Sequence, residues 1–549
     1  MIVYIFNIKA ILLQKTTILY NSDRNVFWKI DNERVRSVKD ILKQQYAIID
    51  IGSNTMRLVI YEKQNGGFYK EIENTKVVAR LRNYLIDGML IEEGMNTLLQ
   101  TLLQFQESTR FHGLHNVLCV ATATIRQAKN QEEIKKFVEG KTDFVLRVLS
   151  EYEEARYGYL AVMNSTSFTE GITVDIGGGS TEITYFRDRE IVEYYSFPFG
   201  ALSLKQQFIH HETPTVEELE ELRRYLWYQF ETLPWLKEKR LPLIAIGGSA
   251  RNMVKIHQNI ISYPIAGLHL YKMKEADIKN VKEELENLTF AELQKLDGLA
   301  KDRADTIIPA VEVFYMLTNI IQAPSFILSR KGLREGVFYE ELTKNLGVSY
   351  YPNVIEESLH LLSYEYEMDM KFVVQLIKQG ALICRQLEAA EVISLSEKDW
   401  CIFYQAAKVF NIGKYIDAEA SRLHTFYLLA NKTIDGMMHK ERIRLALIAS
   451  YKSKMLFKQH LEPFEGWFDK NEQKKIRLLG AILQFSAALN VRQRALIETI
   501  EVKKNKEGLV LHIVCEQSAL AEKVQAEKQK KQLEKVLKVN IQLVFEEKC

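Results

Sequence analysis

Three short stretches of this chain set glycines beside hydroxyl, carboxylate or guanidinium side chains where a β-branched apolar run ends. They are Asp50-Ile-Gly-Ser-Asn-Thr55, Asp175-Ile-Gly-Gly-Gly-Ser-Thr-Glu182 and Ala245-Ile-Gly-Gly-Ser-Ala-Arg-Asn252. Consecutive glycines reach positive φ and leave backbone N–H groups unobstructed by Cβ atoms, so such a turn can gather amides around one anion. Ser180 and Thr181 add hydroxyl donors. Asp175 and Glu182 repel phosphate, but carboxylate oxygens suit a hard divalent cation beside it. One glycine turn alone reads equally well as a tight hairpin. The first two stretches, however, repeat the order strand, Asp, glycine, hydroxyl, strand, and a purely structural repeat would not need the matching acid. The third runs into a helix start, where the dipole favours anions. Together they point to a cleft that handles phosphate.

The elements that must carry these turns follow from apolar periodicity. From Tyr46 to about Ser165, strand-like AIIDIGSN, MRLVIYE, VLCVATAT and FVLRVLS alternate with helix-like MNTLLQTLLQFQESTRF and QEEIKKFVEG, an α/β pattern. It restarts with GITVDIGGGS, EITYFRDREIVEYYSF and LPLIAIGGSA. Two such copies facing one another leave a cleft between them. From Asn345 to Arg494 the spacing turns helical, as in FVVQLIKQGALICRQL and IRLLGAILQFSAAL, and reads as all-α. The remainder reads as hairpin, helix and strand, with Asn505-Lys-Glu-Gly508 as the hairpin turn. The expected divisions are an extension of uncertain status over 1–44, α/β domains over 45–165 and 166–344, a helical domain over 345–495 and a small α+β tail over 496–549.

Bulk properties narrow the class. The 549 residues carry 73 Lys+Arg against 71 Asp+Glu, a net charge of +2, so a polyanion site must be a local patch. Five cysteines stand singly, without metal spacing, which fits a reducing, cytoplasmic setting. The opening MIVYIFNIKAILL is broken by Asn7 and Lys9 and falls short of the about 20 apolar residues of a membrane helix, so no membrane association is expected.

IIDIGSNTMRLVIYE, ATATIRQAKN, VLSEYEEARYGYLAV, VDIGGGSTEI, FPFGALSL, AIGGSARN, GLAKDRADTIIPA and LSRKGLREGVFYE occur in that order over roughly residues 45–343. They resemble the exopolyphosphatase and guanosine pentaphosphate phosphohydrolase family, of the actin-like fold group. The resemblance implies two actin-like (ribonuclease H-like) α/β domains with an interdomain cleft, then an all-α HD-like domain and a small α+β tail. It implies Mg2+ on Asp175 and Glu182, with Asp50 facing them. A phosphate cradle would comprise Asp50, Gly52, Ser53, Asn54, Thr55, Gly177, Gly178, Gly179, Ser180, Thr181, Gly248 and Ser249. Arg126 would clamp phosphate, a task its planar fork suits. Glu153 and Glu154 point about 100° apart on a helix, so one of them faces the cleft; the family pattern selects Glu154 as the base that activates water. Gly158, one turn on, would permit close approach of substrate or the opposing domain.

The implied activity is hydrolysis of a terminal phosphoanhydride, in inorganic polyphosphate or in pppGpp, by a cytoplasmic homodimer with no specific nucleic acid partner. A sensor that keeps the cleft without turnover is the competing class. One departure stands out: KVFNIGKYID places Phe410-Asn411 where the HD motif has His-Asp, and neither is a sound metal ligand. His424 then reads as a packed or capping histidine. Tyr451 to Lys458 and Lys523 to Lys538 offer either a basic path for a polyanion or solvated helix faces.

Overall fold

The computed structural model describes residues 45–64, 67–114, 116–344 and 347–548; the expected extension over 1–44 lies outside them. In β1 (Gln45–Ile51) the run Ala47-Ile48-Ile49 is buried without alternation, the mark of a strand covered on both faces. Its sheet has the order β3-β2-β1-β6-β7, with β2 (Met56–Lys63), β3 (Tyr69–Val77), β6 (Val117–Ala121) and β7 (Leu146–Val148). A short ladder, β4 (Leu85–Ile86) with β5 (Met89–Leu90), stands apart.

The second sheet has the order β10-β9-β8-β11-β13-β12. Its strands are β8 (Gly171–Ile176), β9 (Thr181–Arg187), β10 (Glu190–Phe197), β11 (Leu243–Ile246), β12 (Lys272–Met273) and β13 (Phe326–Leu328). In each sheet an antiparallel meander of three strands joins two parallel strands, so the duplication read from the glycine turns extends to topology. The continuous stretch EITYFRDREIVEYYSF is a hairpin. Asp188 and Arg189 both take positive φ (53° and 60°) at its tip, the geometry that matches strand twist.

Five helices position the site: α1 (Ala123–Gln127), α2 (Glu151–Met163), α3 (Ala201–Phe208), α4 (Gly247–Ile260) and α5 (Leu333–Thr343). α2 begins on a capping box in which Ser150 and Glu153 satisfy each other's backbone amides. α5 lies backbone to backbone on α2: a Cβ at Gly336 would stand 1.9 Å from the Tyr157 carbonyl oxygen. Side chains from both sheets and both helices, among them Ile48, Val120, Tyr157, Ile246 and Phe338, share one core. After leaving the second sheet, the chain thus packs back against α2 and the first sheet before the helical section.

Helices then run from Val354–Glu365 to Lys470–Ala488. Phe410 is buried there, with the Arg422 guanidinium 4.3 Å from its ring centroid. The tail joins β14 (Ile497–Lys504) and β15 (Leu509–Cys515) through the expected turn, where Asn505 Oδ1 accepts from the amides of Glu507 and Gly508. β16 (Ile541–Glu547) pairs parallel to β15 after the helix Leu520–Leu537. Among the described residues no helix is long and apolar enough to cross a membrane.

Candidate active site

The two glycine hairpins meet α4 around a cavity of about 130 Å3. Asp50, Gly52 to Thr55, Glu154, Asp175, Gly177, Gly178, Ser180, Glu182 and Gly248 line it. The first amide of each turn closes the turn itself: Gly52 N donates to Thr55 O at 3.1 Å and Gly177 N to Ser180 O at 2.9 Å. The amides of Ser53, Asn54 and Gly178 have no partner among the described residues and remain for a ligand.

Helix α3 explains the orientation of the triple-glycine turn. Its first amides, unpaired within the helix, bond carbonyls of the turn: Ala201 N to Gly177 O at 2.9 Å, and Leu202 and Ser203 N to Gly178 O at 3.1 Å. With those carbonyls held by α3, the opposite, amide edge is free for an anion. Gly200 makes this possible, because a Cβ there would lie 2.5–2.7 Å from turn backbone atoms. In α4, Gly247 takes φ +91° and sits so close to Asp175 that a Cβ would be 2.6 Å from Oδ1.

Cross-strand register separates the walls chemically. Asp175 lies opposite Glu182, whereas Asp50 lies opposite Arg57. Aligning MRLVIYE on TEITYFR would have found this. Burial pushes Asp175 up to about 6 and, with repulsion from Glu154, holds Glu182 well above the usual carboxylate range. Ser196 Oγ donates to Glu182 at 3.0 Å, and neither acid forms an ion pair among the described residues. One buried and one half-buried carboxylate without an ion-pair partner fit a Mg2+ ion, which needs one or two protein carboxylates beside phosphate and water oxygens. No group of three His, Cys, Asp or Glu side chains among the described residues forms a complete protein cage.

Of the three glutamates opening α2, Glu151 is exposed, and Glu153 is tied to Ser150 N at 2.8 Å and Arg147 at 2.6 Å. Glu154 alone lines the cavity. Burial pushes its carboxyl up to about 7, against the downward pull of Arg126, whose Nη1 donates to Oε2 at 2.6 Å. Arg126 stands behind Glu154, also bonded to Leu149 O at 3.1 Å, and not on the cavity wall. Gly158 approaches Ile246 of the second sheet, not the cavity.

Three further expected residues do not line the cavity. Thr181 is fully buried and donates its hydroxyl to Phe199 O at 2.7 Å, fixing the turn to the FPFG segment. Ser249 is buried and accepts from Arg303 at 3.2 Å. Gly179 lies against Ser53, where it lets the two turns touch. The cations that do line the cavity, Arg251, Arg303 and Arg334, sit in motifs readable in the sequence, but nothing in residue type alone separates them from solvated arginines. They continue into an adjoining cavity of about 670 Å3 that also holds Arg57, Lys76, Lys255, Arg330, Lys331 and Lys432 against only Glu71 and Glu335. The lysine runs at 451–458 and 523–538 do not line it.

The Ppx/GppA phosphatase family model matches residues 59–345, and the model of Ppx/GppA phosphatase domain III matches residues 354–539. Exopolyphosphatase 1 of Mycobacterium tuberculosis is 25% identical over 302 residues, 54% of this chain and 87% of that protein. The guanosine-5'-triphosphate,3'-diphosphate pyrophosphatase of Pseudoalteromonas translucida is 24% identical over 424 residues, 74% of this chain and 80% of that protein. An exopolyphosphatase structure from Cytophaga hutchinsonii shares the fold, with a TM-score of 0.51 at 22% identity over 55% of this chain and 98% of that one. The first match alone covers more than half of the chain, and the protein belongs to the Ppx/GppA phosphatase family.

Proposed function

We propose that this chain is an exopolyphosphatase that releases terminal orthophosphate from inorganic polyphosphate, using water activated by Glu154. The observation that carries the reading is one largely buried carboxylate, poised near neutral pKa, that lines a single cavity with two turns of unpaired amides. Amides of Ser53, Asn54 and Gly178 receive the terminal phosphoryl oxygens. Glu154 takes the proton of the attacking water, the new O–P bond forms, and the bridging P–O bond breaks to leave the shortened chain. Asp175 and Glu182 would hold a Mg2+ ion, which supplies charge neutralisation on the phosphoryl group.

Polymer is favoured over nucleotide by the adjoining basic cavity: none of the described residues lining it is aromatic, so it offers charge along a chain and no platform for a base. The longer match to a pppGpp-directed relative, which extends into the helical section, supports pppGpp as the second substrate. Orthophosphate release from long polyphosphate and from pppGpp, each with and without Mg2+, separates these readings. Faster release from pppGpp would reverse the order, and binding of either without release would leave a sensor.

A further inference from the structure

We infer that Asp50 is a positioning residue for Arg334, and that Arg334 is the side chain by which the first wall grips phosphate. The inference rests on the phosphoanhydride reading of the same cavity. Arg334 Nη1 donates to Asp50 Oδ2 at 2.8 Å, and both side chains are largely buried. A bare carboxylate there would repel the substrate. Bonded to a guanidinium, it is neutralised and instead fixes the direction of the fork.

Three arginines line the cavity, and their surroundings differ. Arg251 donates only to the Arg330 carbonyl at 3.3 Å, and Arg303 only to Ser249 Oγ at 3.2 Å. Among the described residues, Arg334 alone is bonded to a carboxylate. Three like charges side by side push one another out of alignment, so the one with an anionic partner holds its pose. Its Nη2 has no acceptor among the described residues, so donor capacity remains after Asp50 is served. Arg57, opposite Asp50 in register, donates to Asn74 Oδ1 at 2.8 Å and leaves Asp50 to Arg334. The close contact of Gly336 with Tyr157 then locks α5, which carries Arg334, to α2, which carries Glu154. Clamp and base therefore sit on one rigid pair of helices.

A double-mutant cycle on orthophosphate release tests this with R334A, D50A and D50A/R334A, and with D50N as the variant that preserves shape. R334A is expected to lower kcat/KM by roughly 10²-fold, as loss of a preorganised phosphoryl donor does. D50A is expected to lower it less, D50N least, and the double variant no further than R334A. Added guanidinium should restore part of the activity of R334A but not of D50A/R334A, and the Mg2+ activation midpoint of D50A should match the wild type. Losses that multiply in the double variant, a displaced Mg2+ midpoint in D50A, or a fully active D50A would overturn the inference, since Asp50 would then contact metal or substrate itself, or do nothing. Calorimetric titration with inorganic phosphate keeps the test independent of turnover. A wild type that binds phosphate yet releases none would remove the phosphohydrolase reading alone, whereas R334A binding phosphate as tightly as the wild type would remove this inference.

Discussion

Arg126 donates Nη1 to Glu154 at 2.6 Å while its own Nε and Nη2, both buried, have no acceptor among the described residues. The arginine thus holds down the pKa of the carboxylate that burial raises to about 7. Arg126→Ala removes that restraint, so the pH at which Glu154 loses its proton rises. The acid limb of the kcat/KM profile is expected to move to higher pH, and Arg126→Lys to move it less. An unmoved limb in both variants would mean that a different group sets it.

Glu182 should be a liability to the fold. Its pKa is raised in the folded protein, so below that pKa the folded state binds more protons than the unfolded state, and stability falls as pH rises from about 4.3 through the folded value. Thermal melts without divalent cations are therefore expected to show a higher Tm in mildly acidic than in mildly alkaline buffer. Glu182→Gln should flatten that slope and stabilise the alkaline form by about 0.5–2 kcal/mol while abolishing Mg2+-dependent turnover. A lower Tm in the Gln variant at alkaline pH contradicts the assignment.

Gly200→Ala pushes a methyl group into the backbone of the Gly177–Gly179 turn. Overpacking of this kind costs about 1–3 kcal/mol, and here it also rotates the amides that receive phosphate. A loss of turnover larger than the loss of Tm suggests is expected, measured as kcat beside a melting curve. An unaltered kcat would show that α3 does not orient the turn.

Lys255 lines the basic cavity at an exposed position and does not line the smaller cavity that holds Asp175 and Glu182. Lys255→Ala is expected to raise KM for long polyphosphate, leave it nearly unchanged for tripolyphosphate, and weaken the salt dependence of the long-chain KM. Equal effects on both lengths would place the chain elsewhere.

Much of this was legible in the sequence because local chemistry decided it. Asp175-Ile-Gly-Gly-Gly-Ser-Thr-Glu182 forms a hairpin with both acids in register because its glycines permit the turn and its β-branched flanks prefer strands. Helical periodicity says that one of Glu153 and Glu154 faces the cleft and the family pattern selects Glu154; the capping box that occupies Glu153 is seen in the structure. Long-range pairing was not legible. Thr181 reads as a phosphate donor until Phe199 O arrives from just past the end of β10, and Asp50 reads as an open acid until Arg334 returns from beyond the second sheet. The strand β3 was missed because its residues are mostly exposed and lack apolar alternation.

The most direct test compares orthophosphate released from long polyphosphate by the wild type and by Glu154→Gln, with Mg2+ present and substrate binding measured in parallel. The wild type is expected to release orthophosphate, and Glu154→Gln to bind the polymer while turning over about 10²–10⁴-fold more slowly, the range of a lost general base. Undiminished release by Glu154→Gln, or none by the wild type from either polyphosphate or pppGpp, would contradict water activation at this cleft.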